Sequence, residues 1–201
     1  ARGDRVIGAC RHASEALQAR GARVEAGVDV TDAQALSALA KRLEGVRINR
    51  LWLNAGVLAR DKLGGIDKAA IESLRHQFEV NTIGPLLVTQ ALMETLAPGA
   101  KIGIMTSRMG SISDNDSGAY YGYRASKAAV NAVGKSLAVD LRPRGVAVFL
   151  FHPGYVSTDM VGGTGDISPE LAAERLVRLF DELDIKDSGS FWHSNGSALA
   201  W

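Results

Sequence analysis

The chain has 201 residues, enough to bury a substantial core within one domain spanning 1–201, and its 22 acidic residues nearly balance its 23 lysines and arginines. That balance is spread along the chain, which leaves no basic stripe for nucleic acid and no charged block for an oppositely charged partner. Apolar runs such as 146–151 fall far short of the roughly 20 residues a membrane span needs. No signal-peptide pattern follows Ala1-Arg2-Gly3-Asp4-Arg5, so a cytoplasmic location is expected. Cys10 is the sole cysteine, which excludes an internal disulfide and a CxxC site. His12, His76, His152 and His193 never stand at ligand spacing, and no metal is expected.

Strand-like and helix-like segments alternate throughout, which predicts an α/β fold with a doubly wound parallel sheet. Segments 5–9 and 22–28 read as strands around a weak helix at 14–20. Thr31 or Asp32 can cap a helix running to about Leu43, with Leu36, Leu39, Ala40 and Leu43 on its inner face. A β-rich run at 48–53 ends in the turn signal Asn54-Ala55-Gly56. The longest helical pattern covers 67–96, with Ile71, Leu74 and Phe78 at core spacing and Pro98-Gly99 as its stop. Further strands are expected at 101–106, 146–151 and 190–193, a polar loop at 107–116, and helices at 118–142 and 168–183. Segment 157–168 is rich in glycine and reads as a mobile cover over a substrate. Its bulky apolar groups are Met160, Val161 and Ile167, and Arg108 and Tyr155 are within reach of the same pocket.

Tyr123 and Lys127 stand four residues apart, which places a phenol and an ammonium on one helix face, their Cβ atoms roughly 5–6 Å apart. A nearby cation favours phenolate and would bring the tyrosine toward working pH, where it can give or take a proton. A lone Tyr-x3-Lys pair is a weak signal, better read as a packed tyrosine beside an exposed lysine. Its surroundings carry more. Arg11, Asp29, Asn54-Ala55-Gly56, Ser107 and Pro153-Gly154 all fall at the carboxyl ends of predicted strands, the rim where open parallel sheets bind ligands. Each alone is ordinary turn chemistry. Pro85 cannot donate to the Asn81 carbonyl, and Gly84 loosens the same turn, so a kinked helix with a free carbonyl able to hold water is expected.

Asn54-Ala55-Gly56, Asn81 within Phe78-Glu79-Val80-Asn81, Thr106-Ser107, Tyr123-x3-Lys127 and Pro153-Gly154-x3-Thr158 together resemble the short-chain dehydrogenase/reductase family along essentially the whole chain. Ser107-Arg108-Met109-Gly110-Ser111, Tyr123-Arg124-Ala125-Ser126-Lys127-Ala128-Ala129 and Trp201 look like its C-factor/sniffer-type carbonyl reductase branch. The resemblance implies a Rossmann-like sheet and a nicotinamide cofactor that carries hydride. Tyr123 would be the general acid/base, Lys127 would lower its pKa and hold the ribose, Ser107 would hold the carbonyl, and Asn81 would begin a proton relay. Asp29 and Val30 would meet the adenine, Asn54, Ala55 and Gly56 would lie beneath the cofactor, and Pro153, Gly154, Val156 and Thr158 would hold the nicotinamide end. Ala9-Cys10-Arg11-His12 offers no acid for the adenosine ribose, whereas the Arg11 fork can grip a 2′-phosphate. NADP(H) is therefore expected over NAD(H).

The implied function is an NADP(H)-dependent oxidoreductase interconverting a small or moderately apolar carbonyl compound and its alcohol, assembled as a homodimer or homotetramer through helices at 68–97 and 119–142. The alternative is a non-catalytic, reductase-like binding or signalling protein with vestigial cofactor binding. Its support is that the family's opening strand and Thr-Gly-x3-Gly-x-Gly turn are not among the 201 residues. Residues 1–6 correspond to the end of the first helix and entry to the second strand. The usual first βα unit is thus expected to be lacking here, leaving two unpaired strand edges and no glycine-loop pyrophosphate site, and an incomplete record of a longer protein is the expectation.

Overall fold

The computed structural model describes residues 3–201; the expected helix end at Ala1-Arg2 lies outside them. β1 (Ile7–Ala9) pairs in parallel with β2 (Arg23–Glu25), placing Ile7 opposite Arg23 and Ala9 opposite Glu25. Both strands are shorter than expected; among the described residues each has only the other as a ladder partner. The weak helix between them shrinks to α1 (Glu15–Gln18), capped by the Ser14 hydroxyl. In α2 (Ala33–Arg42) the Asp32 carboxylate accepts from the N–H groups of Gln34 and Ala35, satisfying two donors that the helix cannot. Leu36, Leu39 and Leu43 are buried along its inner face.

β3 (Ile48–Leu53), β4 (Leu96–Met105), β5 (Ala147–His152) and β6 (Ser190–His193) form a second sheet in that order, all parallel. β5 is apolar and buried from Ala147 to Phe151 because both its faces are covered there. Val148 joins a core shared with α4 (Gly84–Leu92) and α5 (Tyr121–Asp140). Phe149 and Phe151 point the other way, onto Phe180 of α6 (Pro169–Glu182), with ring centroids 5.9 Å away in each case. Full burial of such side chains stabilises by roughly 1.5–3 kcal/mol each. Helices on both faces make the fold a doubly wound, Rossmann-like α/β structure. β1 and β3 do not pair, and a cleft of about 2780 Å³ opens between them, with Ile7 and Leu51 on opposite walls. The family's opening βα unit therefore has no counterpart among the described residues.

Three expectations are corrected here. The helix expected over 67–96 is divided into α3 (Lys68–Phe78), a π-helical stretch at Glu79–Ile83, and α4. Gly84 N–H reaches back five residues to the Glu79 carbonyl, so the ladder widens just before the proline that interrupts it. Ile71 is 42% exposed, not core, while Gln77 is buried. β4 starts at Leu96 and runs through Pro98-Gly99, which the pairing absorbs as a register shift between Ile48 and Arg50.

Candidate active site

Tyr123 is the third residue of α5, and Lys127 lies one turn on. Both are buried, at 7% and 3% exposure. Lys127 Nζ donates to the Met105 carbonyl at 2.9 Å, at the end of β4, and lies 5.8 Å from the centroid of the Tyr123 ring. Burial holds Lys127 down to about 8, because desolvation penalises an ammonium that faces no carboxylate. Burial pushes the Tyr123 phenol up, and a hydrogen bond with Ser107 offsets part of that. The expected lowering of Tyr123 by Lys127 is corrected: the ammonium is engaged by a backbone carbonyl, and desolvation outweighs it at the phenol. Tyr123 is held as a proton donor.

Ser107 opens a 3₁₀ turn at Arg108–Gly110, where its Oγ accepts from Met109 N–H at 3.1 Å. It caps its own turn, as the bland reading has it, and also hydrogen-bonds with Tyr123. Asn81 is wholly buried. Its Oδ1 accepts from Val57 N–H at 2.8 Å, and its Nδ2 donates to the Val57 carbonyl at 2.9 Å and to Ser126 Oγ at 3.0 Å. The side chain thus clamps the loop that follows β3. A Cβ added to Gly56 would stand 3.4 Å from Asn81 Oδ1 and 3.5 Å from Lys127 Nζ, so the three residues are adjacent.

Apart from Asn81, which sits behind the wall, every residue singled out for the site lines the one large cleft. Arg11, Asp29 and Val30 stand at the β1–β2 end, with Asn54, Ala55 and Gly56 beneath. Ser107, Tyr123 and Lys127 line the cleft together, and Pro153, Gly154, Val156 and Thr158 line it as well. The Arg11 guanidinium makes no hydrogen bond or ion pair among the described residues, whereas Asp29 is engaged. Its carboxylate accepts from Thr31 N–H at 2.9 Å and Thr31 Oγ1 at 2.7 Å, which lowers its pKa.

On the substrate side, Arg108, Tyr155, Met160 and Val161 line the cleft, while Ile167 does not; it packs beside Gly154 and bridges Val156. The segment expected to be a mobile cover is closed at its neck. Ser157 N–H donates to the Ile167 carbonyl at 2.9 Å and Asp166 N–H to the Tyr155 carbonyl at 2.7 Å. Arg108 is paired with Asp114 at 2.6 Å. Trp201 stacks on Phe191 and its carbonyl accepts from Ser113 N–H and Oγ at 3.1 and 2.6 Å, so the chain returns to the loop that carries Ser107.

Three further residues escaped the sequence reading. Ser126 Oγ braces the Asn81 side chain by accepting from its Nδ2, and Gln77 holds the same loop directly, its Oε1 accepting from Ala59 N–H at 3.0 Å. His152 ends β5 on the cleft wall, its ring edge-on to His193 at 4.9 Å. Burial, then His193 and Arg108, hold it down to about 4, so it stays neutral at physiological pH. Its position directly before Pro153-Gly154, on the rim, was the available signal. Among the described residues there is no group of three or more His, Cys, Asp or Glu able to hold a metal ion, and no helix long and apolar enough to cross a membrane.

A family profile described as enoyl-(acyl carrier protein) reductase matches residues 4–185. The chain belongs to the short-chain dehydrogenase/reductase family. It is 45% identical over 206 aligned residues to 1-hydroxy-2-glutathionyl-2-methyl-3-butene dehydrogenase of Rhodococcus sp. (strain AD45), covering all of this chain and 90% of that one. The C-signal of Myxococcus xanthus is 38% identical over 69% of this chain and 83% of its own. Among solved structures, the carbonyl reductase Sniffer of D. melanogaster superposes with a TM-score of 0.89 at 28% identity, covering 98% of this chain and 88% of Sniffer. A carbonyl reductase from Pseudomonas aeruginosa PAO1 in complex with NADP gives 0.85 at 29% identity, covering 100% and 90%. The family member is thus an oxidoreductase of the C-factor/sniffer type.

Proposed function

We propose that the chain is an NADP(H)-dependent oxidoreductase that interconverts a carbonyl compound and its alcohol, with Tyr123 as general acid/base. The observation that carries this reading is the buried, protonated Tyr123 beside Ser107 and Lys127 on the wall of the cleft that Arg11, Asn54–Gly56 and the 153–158 turn also line. The cleft offers groups for both ends of a dinucleotide. Arg11 is free to take a 2′-phosphate, and small residues at 55–56 let a ribose approach Lys127. The cofactor, when bound, supplies the hydride.

The chain's own residues supply position and protons. Ser107 Oγ, fixed by Met109 N–H, donates toward the carbonyl oxygen and stabilises the charge that develops there. Tyr123 gives that oxygen its proton, in the protonated state that burial maintains. Lys127, charged below about pH 8, stabilises the phenolate left behind and holds the ribose hydroxyls. The Asn81 carbonyl, at the widened turn, would hold a water by accepting its hydrogen bond, and that water would relay a replacement proton from solvent toward Lys127.

The substrate reading is a small or moderately apolar carbonyl compound, supported by Tyr155, Met160 and Val161 on the cleft wall. The relatives named as a dehydrogenase and as carbonyl reductases point to the same reaction type. Exposed Ile71, Ile83, Leu86 and Val139 on α3, the π-helical stretch, α4 and α5 support a homodimer or homotetramer through those helices, which light scattering on the purified protein tests. Assaying NADPH oxidation against a panel of aldehydes tests the activity itself. Loss on Tyr123→Phe supports the enzyme; function that survives the change favours the non-catalytic binding or signalling alternative.

A further inference from the structure

The position of the Tyr123 phenol depends on how α5 begins, because Tyr123 lies in its first turn. That beginning is unusual. Ala119 and Tyr120 both have φ of 51°, a left-handed conformation that residues with a Cβ seldom adopt. Tyr120, the residue at the cap position, makes no side-chain capping hydrogen bond. The acceptors come from Asp61, in the loop between β3 and α3, about 60 residues earlier in the chain.

Asp61 meets three consecutive N–H groups. Its carbonyl accepts from Tyr120 N–H at 2.9 Å, Oδ1 from Tyr121 N–H at 2.5 Å, and Oδ2 from Gly122 N–H at 3.2 Å. The carboxylate also sits at the positive end of a 20-residue helix. Packing leaves this turn no slack. A Cβ on Gly122 would stand 2.5 Å from Gln77 Nε2, 2.9 Å from Leu74 Cγ and 3.3 Å from Asp61 Oδ2. The loop itself is tied at Val57 by Asn81 and at Ala59 by Gln77. The wall at Asn54–Gly56 and the first turn of α5 are therefore joined through one short, multiply anchored segment ending in Asp61.

We propose that Asp61 is a positioning residue for the reaction: acting from another loop, it caps α5 and holds the left-handed entry at Ala119-Tyr120 that sets the Tyr123 phenol against Ser107. The proposal rests on Tyr123 being the general acid. Asp61 touches neither substrate nor cofactor in this role.

The test measures NADPH-dependent reduction of 4-nitrobenzaldehyde and amide hydrogen exchange across 118–126 in the wild type, Asp61→Ala, Asp61→Asn and Asp61→Ala/Ala119→Gly. Asp61→Ala should lower kcat by about 10- to 100-fold through misplacement of the phenol, with the KM for NADPH within about twofold, and should speed exchange at Tyr121 and Gly122. Asp61→Asn keeps the shape and one acceptor, guards against a folding failure, and should fall between the two. Ala119→Gly relieves the left-handed entry and should recover at least about fivefold of the lost kcat. A kcat for Asp61→Ala within about twofold of the wild type, or no recovery with glycine at 119, overturns the proposal while leaving the Tyr123 reading intact. A wild type without turnover overturns both.

Discussion

Gly110 lies directly against the backbone of Lys127: a Cβ added to Gly110 would stand 2.7 Å from the Lys127 carbonyl carbon. The contact seats the turn that Ser107 opens on the helix that carries Tyr123, and it works only with hydrogen at that position. Gly110→Ala must separate the two elements or distort one. A loss of roughly 1–3 kcal/mol in stability is expected from the overpacking, together with a fall in kcat larger than any change in cofactor affinity. Thermal unfolding and steady-state kinetics of the same variant check both.

Lys127 links function to stability with opposite signs. Its ordinary value of 10.5 falls to about 8 in the folded chain. Between those values the unfolded chain binds the proton more tightly, so this group alone makes stability rise with pH from about 8 to about 10.5. Below pH 8 the lysine is charged in both states and its burial costs roughly 3 kcal/mol. Lys127→Met should therefore raise the Tm at pH 7 by about 2–6 °C while removing nearly all activity. An unfolding scan with a parallel rate assay measures the pair.

The same group sets an alkaline limit on the free enzyme. kcat/KM for carbonyl reduction should fall as pH rises through about 8, where Lys127 loses the charge that stabilises the phenolate. A pH–rate profile flat to pH 10 would remove Lys127 from that role.

Arg11 decides between the two dinucleotides. Arg11→Ala should raise the KM for NADPH about 10-fold or more, since a charge-assisted fork on phosphate is lost, and leave that for NADH within about twofold. Initial rates with each cofactor and one aldehyde give the answer.

Much of this was legible from local pattern. β3 and β6 match the runs read at 48–53 and 190–193, and the capping roles of Asp32 and Ser168 follow from residue type at a helix start. The site residues were legible because they punctuate strand ends, and the fold brings all but Asn81 to one cleft. What escaped depends on distant partners. Ile71 has core spacing, yet α3 turns Gln77 inward and leaves Ile71 outside. Asp61 reads as one more loop acid until the chain returns 60 residues later with Tyr121 N–H. The Tyr123 shift was misjudged because spacing places Lys127 nearby but cannot show that Met105 engages it, or how much water burial removes.

On this reading Tyr123 supplies the proton in a carbonyl reduction driven by NADPH. The most direct measurement is the rate of NADPH-dependent reduction of 4-nitrobenzaldehyde by the wild type and by Tyr123→Phe, with NADPH affinity measured for both by fluorescence titration. The account predicts turnover by the wild type, a loss in kcat of about 100-fold or more on removing the hydroxyl, and NADPH affinity unchanged within about twofold. A Tyr123→Phe variant that turns over as fast as the wild type would contradict it.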